Sequence, residues 1–125
     1  MAKSKIVGLV GEAAVRRVLE SGVEADKDAT ALAVRYLLQE LAESAPGGSV
    51  EVRVPPQGAV QCIEGPGHTR GTPPNVIETD AATWVALATG GLSWAAALAA
   101  GSVSASGSRA DFSAHLPVRW LREQG

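Results

Sequence analysis

The sequence holds one cysteine, Cys62, so no disulfide can form within the chain. A lone thiol fits a reducing, cytoplasmic setting. Rings are scarce as well: Tyr36, Trp84, Trp94, Phe112 and Trp120 are the whole aromatic complement. The core must then be filled by Val, Leu and Ala, small side chains that readily leave a gap lined by methyl groups. Charge of one sign is also missing. Eleven Lys and Arg stand against 13 Asp and Glu, the formal net charge is −2, and the cations do not cluster. The electrostatic case for nucleic acid is therefore absent. No apolar run approaches the roughly 18 residues of a membrane span. The longest candidate, WAAALAA from Trp94 to Ala100, covers less than half of that. The opening MAKSKIVGLVGEAAVRR lacks the long apolar centre and the small-residue cleavage site of a signal peptide, because Glu12, Arg16 and Arg17 interrupt it. Stable membrane insertion is not expected.

Metal and nucleotide signatures are missing too. His68, His115, Glu64, Glu78 and Asp80 have no recognised ligand spacing, and no His-x-x-x-His or Cys-x-x-Cys pair occurs. Gly65-x-Gly67-x-x-x-Gly71 lacks the Gly-Lys-Ser/Thr of a phosphate loop and the βαβ setting of a dinucleotide fingerprint. No metal and no cofactor is expected.

What is present suits one soluble domain. The chain has 125 residues, of which 46% are apolar and 19% charged. Residues 5–21 carry apolar side chains at Ile6, Leu9, Val10, Ala13, Ala14, Val18 and Leu19, the spacing of an amphipathic helix ended by Gly22. A second helix, capped by Asp26 or Asp28, has the stripe Val34, Leu37, Leu38 and Leu41, with Glu40 and Glu43 outside. Pro46-Gly47-Gly48 stops it.

The period then changes to two. Val50, Val52 and Val54 alternate with Glu51 and Arg53, Pro55-Pro56 ends that strand, and residues 59–64 form the next one through a short hairpin. Residues 75–78 form a third strand. Thr79 or Asp80 caps a third helix bearing Trp84, Leu87 and Ala88. Ser93 caps a fourth over residues 94–100, and residues 102–106 form a last strand. Helices and a mainly antiparallel sheet thus occur in separate runs, which is the α+β class. One domain over 1–125 is expected, with helices in 1–46, the sheet and its helices in 47–118, and a frayed tail in 119–125.

The residues from Val50 to Leu116 resemble a known family. The most specific parts are RVPP followed by GPGHTRGTPPNVIETD, then TW-x-x-L-A-T-G, SW and A-A-G-x-x-x-A-S-G. This pattern is similar to the bacterial branch of the sterol carrier protein family. The resemblance implies a curved sheet, usually of five strands, with helices packed on one side. It also implies a hydrophobic cavity between the layers that holds a lipid or fatty acyl chain. Such a domain binds and transfers without catalysis, although in bacteria it is also found attached to enzymes as an accessory. The sequence departs from this pattern in showing four strand-like stretches and in ending Arg-Glu-Gln-Gly, with no peroxisomal address.

On this reading the apolar contacts to a ligand come from Val52, Val60, Val76, Trp84, Leu87, Trp94, Leu98 and Val103. The same stripe also describes ordinary packing of helix on sheet. The polar contacts come from His68 and Arg70, in a loop whose glycines let backbone N–H groups approach an anion. Two alternatives stay open for that loop. His68 acts as a general base and Arg70 as an anion clamp, in an enzyme or an enzyme-accessory domain. Or Arg70 pairs with Glu64 or Glu78 and stiffens the loop. Cys62, mid-strand with no base nearby in sequence, reads as a small buried hydrophobe. The expected partner is a lipid or acyl small molecule, and nothing in the sequence sets a number of subunits.

Overall fold

Strict alternation in VEVRV makes β1 (Val50–Val54), whose valines are all buried while Glu51 and Arg53 are half-buried on the opposite face. A tight turn returns the chain as β2 (Gly58–Cys62), antiparallel to β1 with Val52 opposite Val60. The computed structural model describes residues 5–65 and 75–121. Within them two further strands complete the sheet, β3 (Val76–Thr79) and β4 (Val103–Ser106), in the order β2-β1-β3-β4. β3 runs parallel to β1 and β4 antiparallel to β3, so the sheet is mixed and open. Two of its three pairings are antiparallel, as the mainly antiparallel expectation required.

Four helices accompany the sheet: α1 (Gly8–Ser21), α2 (Lys27–Ser44), α3 (Ala81–Thr89) and α4 (Trp94–Ala99). Each of the last three starts on a side-chain cap. Asp26 accepts from the Ala29 N–H at 3.0 Å, Asp80 from Thr83 at 2.8 Å, and Ser93 from Ala96 at 3.1 Å. Of the paired alternatives in the sequence, Asp26 and Asp80 are therefore the caps. α3 ends at Gly90, whose φ of 92° and N–H bonds to the Ala86 and Leu87 carbonyls form a left-handed cap. The order helix, helix, three strands, helix, helix, strand is the one that the periodicities predict, and the architecture is α+β.

The cross-strand register sets the faces. Val50, Val52 and Val54 share one face with Val60, Cys62, Ile77 and Val103, and this face carries the core. Glu51, Arg53, Val76 and Glu78 lie on the other, where Arg53 donates to Glu51 at 2.9 Å. Val76 therefore stands on the face opposite Val52, and its neighbour Ile77 is the inward residue of β3.

α2 lies over the core face and is covered in turn by α1, so more than one stripe of it is buried. Glu40, expected outside, is 6% exposed for this reason. It sits one turn beyond Tyr36, which faces α1. α1 buries only part of the expected stripe, Ala14 and Val18. Gly11, Ala14, Val15 and Val18 are buried, whereas Leu9, Val10 and Leu19 are exposed. Small residues let the helix approach the Tyr36 ring closely, and the larger side chains are left outside.

The expected frayed tail is tied down as far as Trp120. Tyr36 Oη donates to the Trp120 carbonyl at 2.9 Å, Arg16 lies 5.7 Å from the Trp120 ring centroid, and the Val118 N–H bonds the Ala88 carbonyl at 2.9 Å.

Candidate functional site

α3 and α4 hold the tryptophans over the sheet. Trp84, Leu87 and Val52 are each 1% exposed and belong to one buried apolar cluster. The indole N–H of Trp84 donates to the Val34 carbonyl of α2 at 3.3 Å, which locks α3 against α2. Trp94 opens α4 and packs its ring 5.6 Å from that of Phe112, tilted by 46°, and Phe112 in turn meets the edge of His115 at 6.3 Å. Val103 is buried beneath this layer, Val60 is half-buried at the sheet edge, and Leu98 is 44% exposed on the outer side of α4.

Where α3 ends and α4 begins, a groove of about 400 Å³ opens, lined by Leu87, Leu92, Trp94, Ala95, Leu116 and Pro117. It thus gathers Leu87 and Trp94 from the sequence-predicted set, but not Val52, Val60, Val76, Trp84, Leu98 or Val103. Leu92, Leu116 and Pro117 are additions. The sequence carries a signal for Leu92, which directly precedes the cap residue Ser93, the place where an apolar side chain commonly folds inward. For Leu116 and Pro117 no local signal exists, because the Val118–Ala88 hydrogen bond that brings their segment to α3 spans 30 positions of chain.

A larger groove, about 670 Å³, lies between α2 and β2. Its walls include Ile6, Arg35, Leu38, Gln39, Gly58 and Val60. Of the sequence-predicted residues it holds only Val60.

The base of the sheet is a built polar junction. Asn75, 5% exposed, donates to the Ser49 carbonyl at 2.7 Å and accepts the Arg109 N–H at 2.9 Å. The hydroxyl of Ser49 donates to the Ile63 carbonyl at 2.7 Å. One buried side chain thus ties the start of β1 to the segment after β4. His68 and Arg70, with Pro73 and Pro74, lie outside the described residues.

Cys62 is fully buried on the core face of β2, and burial pushes its thiol up to about 11. At neutral pH it is a protonated, apolar-packed group, as the sequence reading holds. Among the described residues no three His, Cys, Asp or Glu side chains gather where they could hold a metal, and no helix is long and apolar enough to cross a membrane.

The family model described as a bacterial SCP ortholog matches residues 26–118. The chain belongs to this sterol carrier protein family. The matched span begins at the Asp26 cap of α2 and takes in the whole sheet, α3, α4 and the groove beside Trp94, and it leaves α1 outside. Members of this family are generally non-catalytic lipid carriers. No curated protein matches the sequence.

Proposed function

We propose that the chain is a non-catalytic carrier of a lipid or fatty acyl ligand, held between the sheet and the α3–α4 layer and admitted through the groove at Leu87 and Trp94. The observation that carries this reading is the groove itself. In a chain of the sterol carrier family, it gives access from outside to the seam between α3, α4 and the core. Its volume of about 400 Å³ falls in the range of small-molecule sites.

The energetics of apolar transfer are sufficient without chemistry. At ~0.8 kcal/mol per CH₂, a fourteen-carbon chain gains roughly 11 kcal/mol on burial. That offsets much of an association cost on the order of 4–15 kcal/mol. Because Val52, Trp84 and Leu87 are buried in one apolar cluster, a ligand that goes deeper than the groove has to part α3 and α4 from the sheet. His68 and Arg70 are the proposed partners for the polar end of the ligand.

Native mass spectrometry of the purified protein tests this directly. A non-covalent lipid mass carried by the folded chain is the expected result. No bound lipid, together with no uptake of fatty acids, acyl-CoA or sterols in a displacement assay, would overturn it. Loss of a catalysed reaction in His68→Ala, with lipid binding intact, would instead establish the enzyme alternative.

A further inference from the structure

Among the described residues β2 is an edge strand, and its outer edge borders a groove. The orientation of its backbone follows from β1. The Glu51 N–H bonds the Asn75 carbonyl at the start of β3, so Glu51 and Arg53 turn their backbone groups toward β3, and Val50, Val52 and Val54 turn theirs toward β2. Their partners Cys62, Val60 and Gly58 are thereby engaged. Ala59 and Gln61, both exposed, direct their N–H and C=O groups away from the sheet. Among the described residues no strand pairs with that edge.

Across the groove stands the side of α2 that carries Arg35, Leu38, Gln39 and Glu43. One extended backbone already lies against it. The Gln39 side-chain amide donates to the Ile6 carbonyl and accepts the Ile6 N–H, each at 2.9 Å. Lys5 pairs with Glu43 at 2.9 Å. Arg35 is exposed, rests its aliphatic stem over Gly58, and makes no ion pair among the described residues. The outward peptide groups of Ala59 and Gln61 thus lie along the β2 edge beside a groove that has an apolar floor of Ile6, Leu38 and Val60 and one cation in excess.

We propose that this groove binds an extended polypeptide segment bearing an acidic side chain, which adds as a fifth strand to the outer edge of β2. A strand placed there lies about 4.8 Å beyond β2. Its alternate side chains enter the groove over Leu38 and Val60, and an acidic one meets Arg35. A lipid chain satisfies neither the outward peptide groups of Ala59 and Gln61 nor their spacing, whereas a polypeptide satisfies both. This site is separate from the groove at Leu87 and Trp94, and the inference does not depend on the carrier reading.

Random dodecapeptides displayed on phage, selected on the immobilised full chain, supply the probe. The enriched peptide is then titrated into ¹⁵N-labelled protein. The expected outcome is an acidic peptide that shifts and protects the Ala59 and Gln61 amides. Backbone N-methylation at one alternating set of its positions should abolish binding, and at the other set leave it intact. Arg35→Glu should weaken the peptide about tenfold, with affinity recovered when Lys replaces its acidic residue. Ala59→Pro removes one outward donor without touching the β1–β2 ladder and should also cost about tenfold. Should that variant fail to fold, the N-methyl series decides alone. No enriched peptide, binding that ignores the N-methyl pattern, or shifts at Ala59 and Gln61 produced by tetradecanoate and by no peptide would each overturn the proposal.

Discussion

Gly11 lies in α1 directly against the Tyr36 ring of α2, and a Cβ built there would overlap three of the ring atoms. Alanine is the better helix former by about 1 kcal/mol. Here that gain should be outweighed, because the ring is fully buried and its hydroxyl is bonded to the Trp120 carbonyl. Gly11→Ala is expected to lower the unfolding free energy by about 1–3 kcal/mol in a urea titration. A second residue sets a pH limit. The Cys62 thiol is held by burial at about 11 against an ordinary 9.0. The unfolded chain therefore releases this proton at lower pH than the folded one does. The contribution is fully present below pH 9 and is lost as pH rises toward 11, by roughly 2–3 kcal/mol. Thermal melts from pH 8 to 11 should show this fall, and Cys62→Ala should flatten it. Single residues were also where the sequence was least legible. Nothing local shows that Glu40 is buried, because that depends on α1 arriving from outside, and nothing local separates Val76 from Ile77 as the inward residue of a four-residue strand.

Among the elements, the caps and the alternating strands were read best, because both are short-range chemistry. Asp80 lies at the junction of β3 and α3, where it accepts the Thr83 N–H at 2.8 Å. Asp80→Ala is expected to cost about 1 kcal/mol, measured by denaturant unfolding, and Asp80→Asn much less, since the amide oxygen still accepts. α1 shows the opposite case. Of the expected stripe Ile6, Leu9, Val10, Ala13, Ala14, Val18 and Leu19, Ala14 and Val18 are buried, together with Gly11 and Val15, whereas Leu9, Val10 and Leu19 are exposed. Side-chain size misled there, because close helix packing on an aromatic ring selects small residues. The parallel pairing of β1 with β3 was equally hidden. Strand patterns alone do not carry direction.

At the scale of the molecule, the sheet turns one face to the helices and the other outward, and the tryptophan layer rests on the inward face. The family and the α+β class were visible in sequence because they are carried by contiguous motifs. The groove at Leu87 and Trp94 was visible only in part, since Leu116 and Pro117 reach it through the return of the chain to α3. Trp84 anchors α3 to α2 and is 1% exposed, so Trp84→Ala should cost about 3–5 kcal/mol by thermal or urea unfolding. Leu92 borders the groove and is only half-buried. Leu92→Gln should accordingly leave stability within about 1 kcal/mol of the parent, while weakening uptake of an acyl chain.

Titration of methyl-labelled protein with tetradecanoate tests the carrier reading most directly. Saturable shifts centred on the Leu87, Leu92 and Leu116 methyls and the Trp94 indole, weakened in Leu92→Gln, are the expected result. Spectra unchanged by tetradecanoate, by its CoA thioester and by a sterol would contradict it.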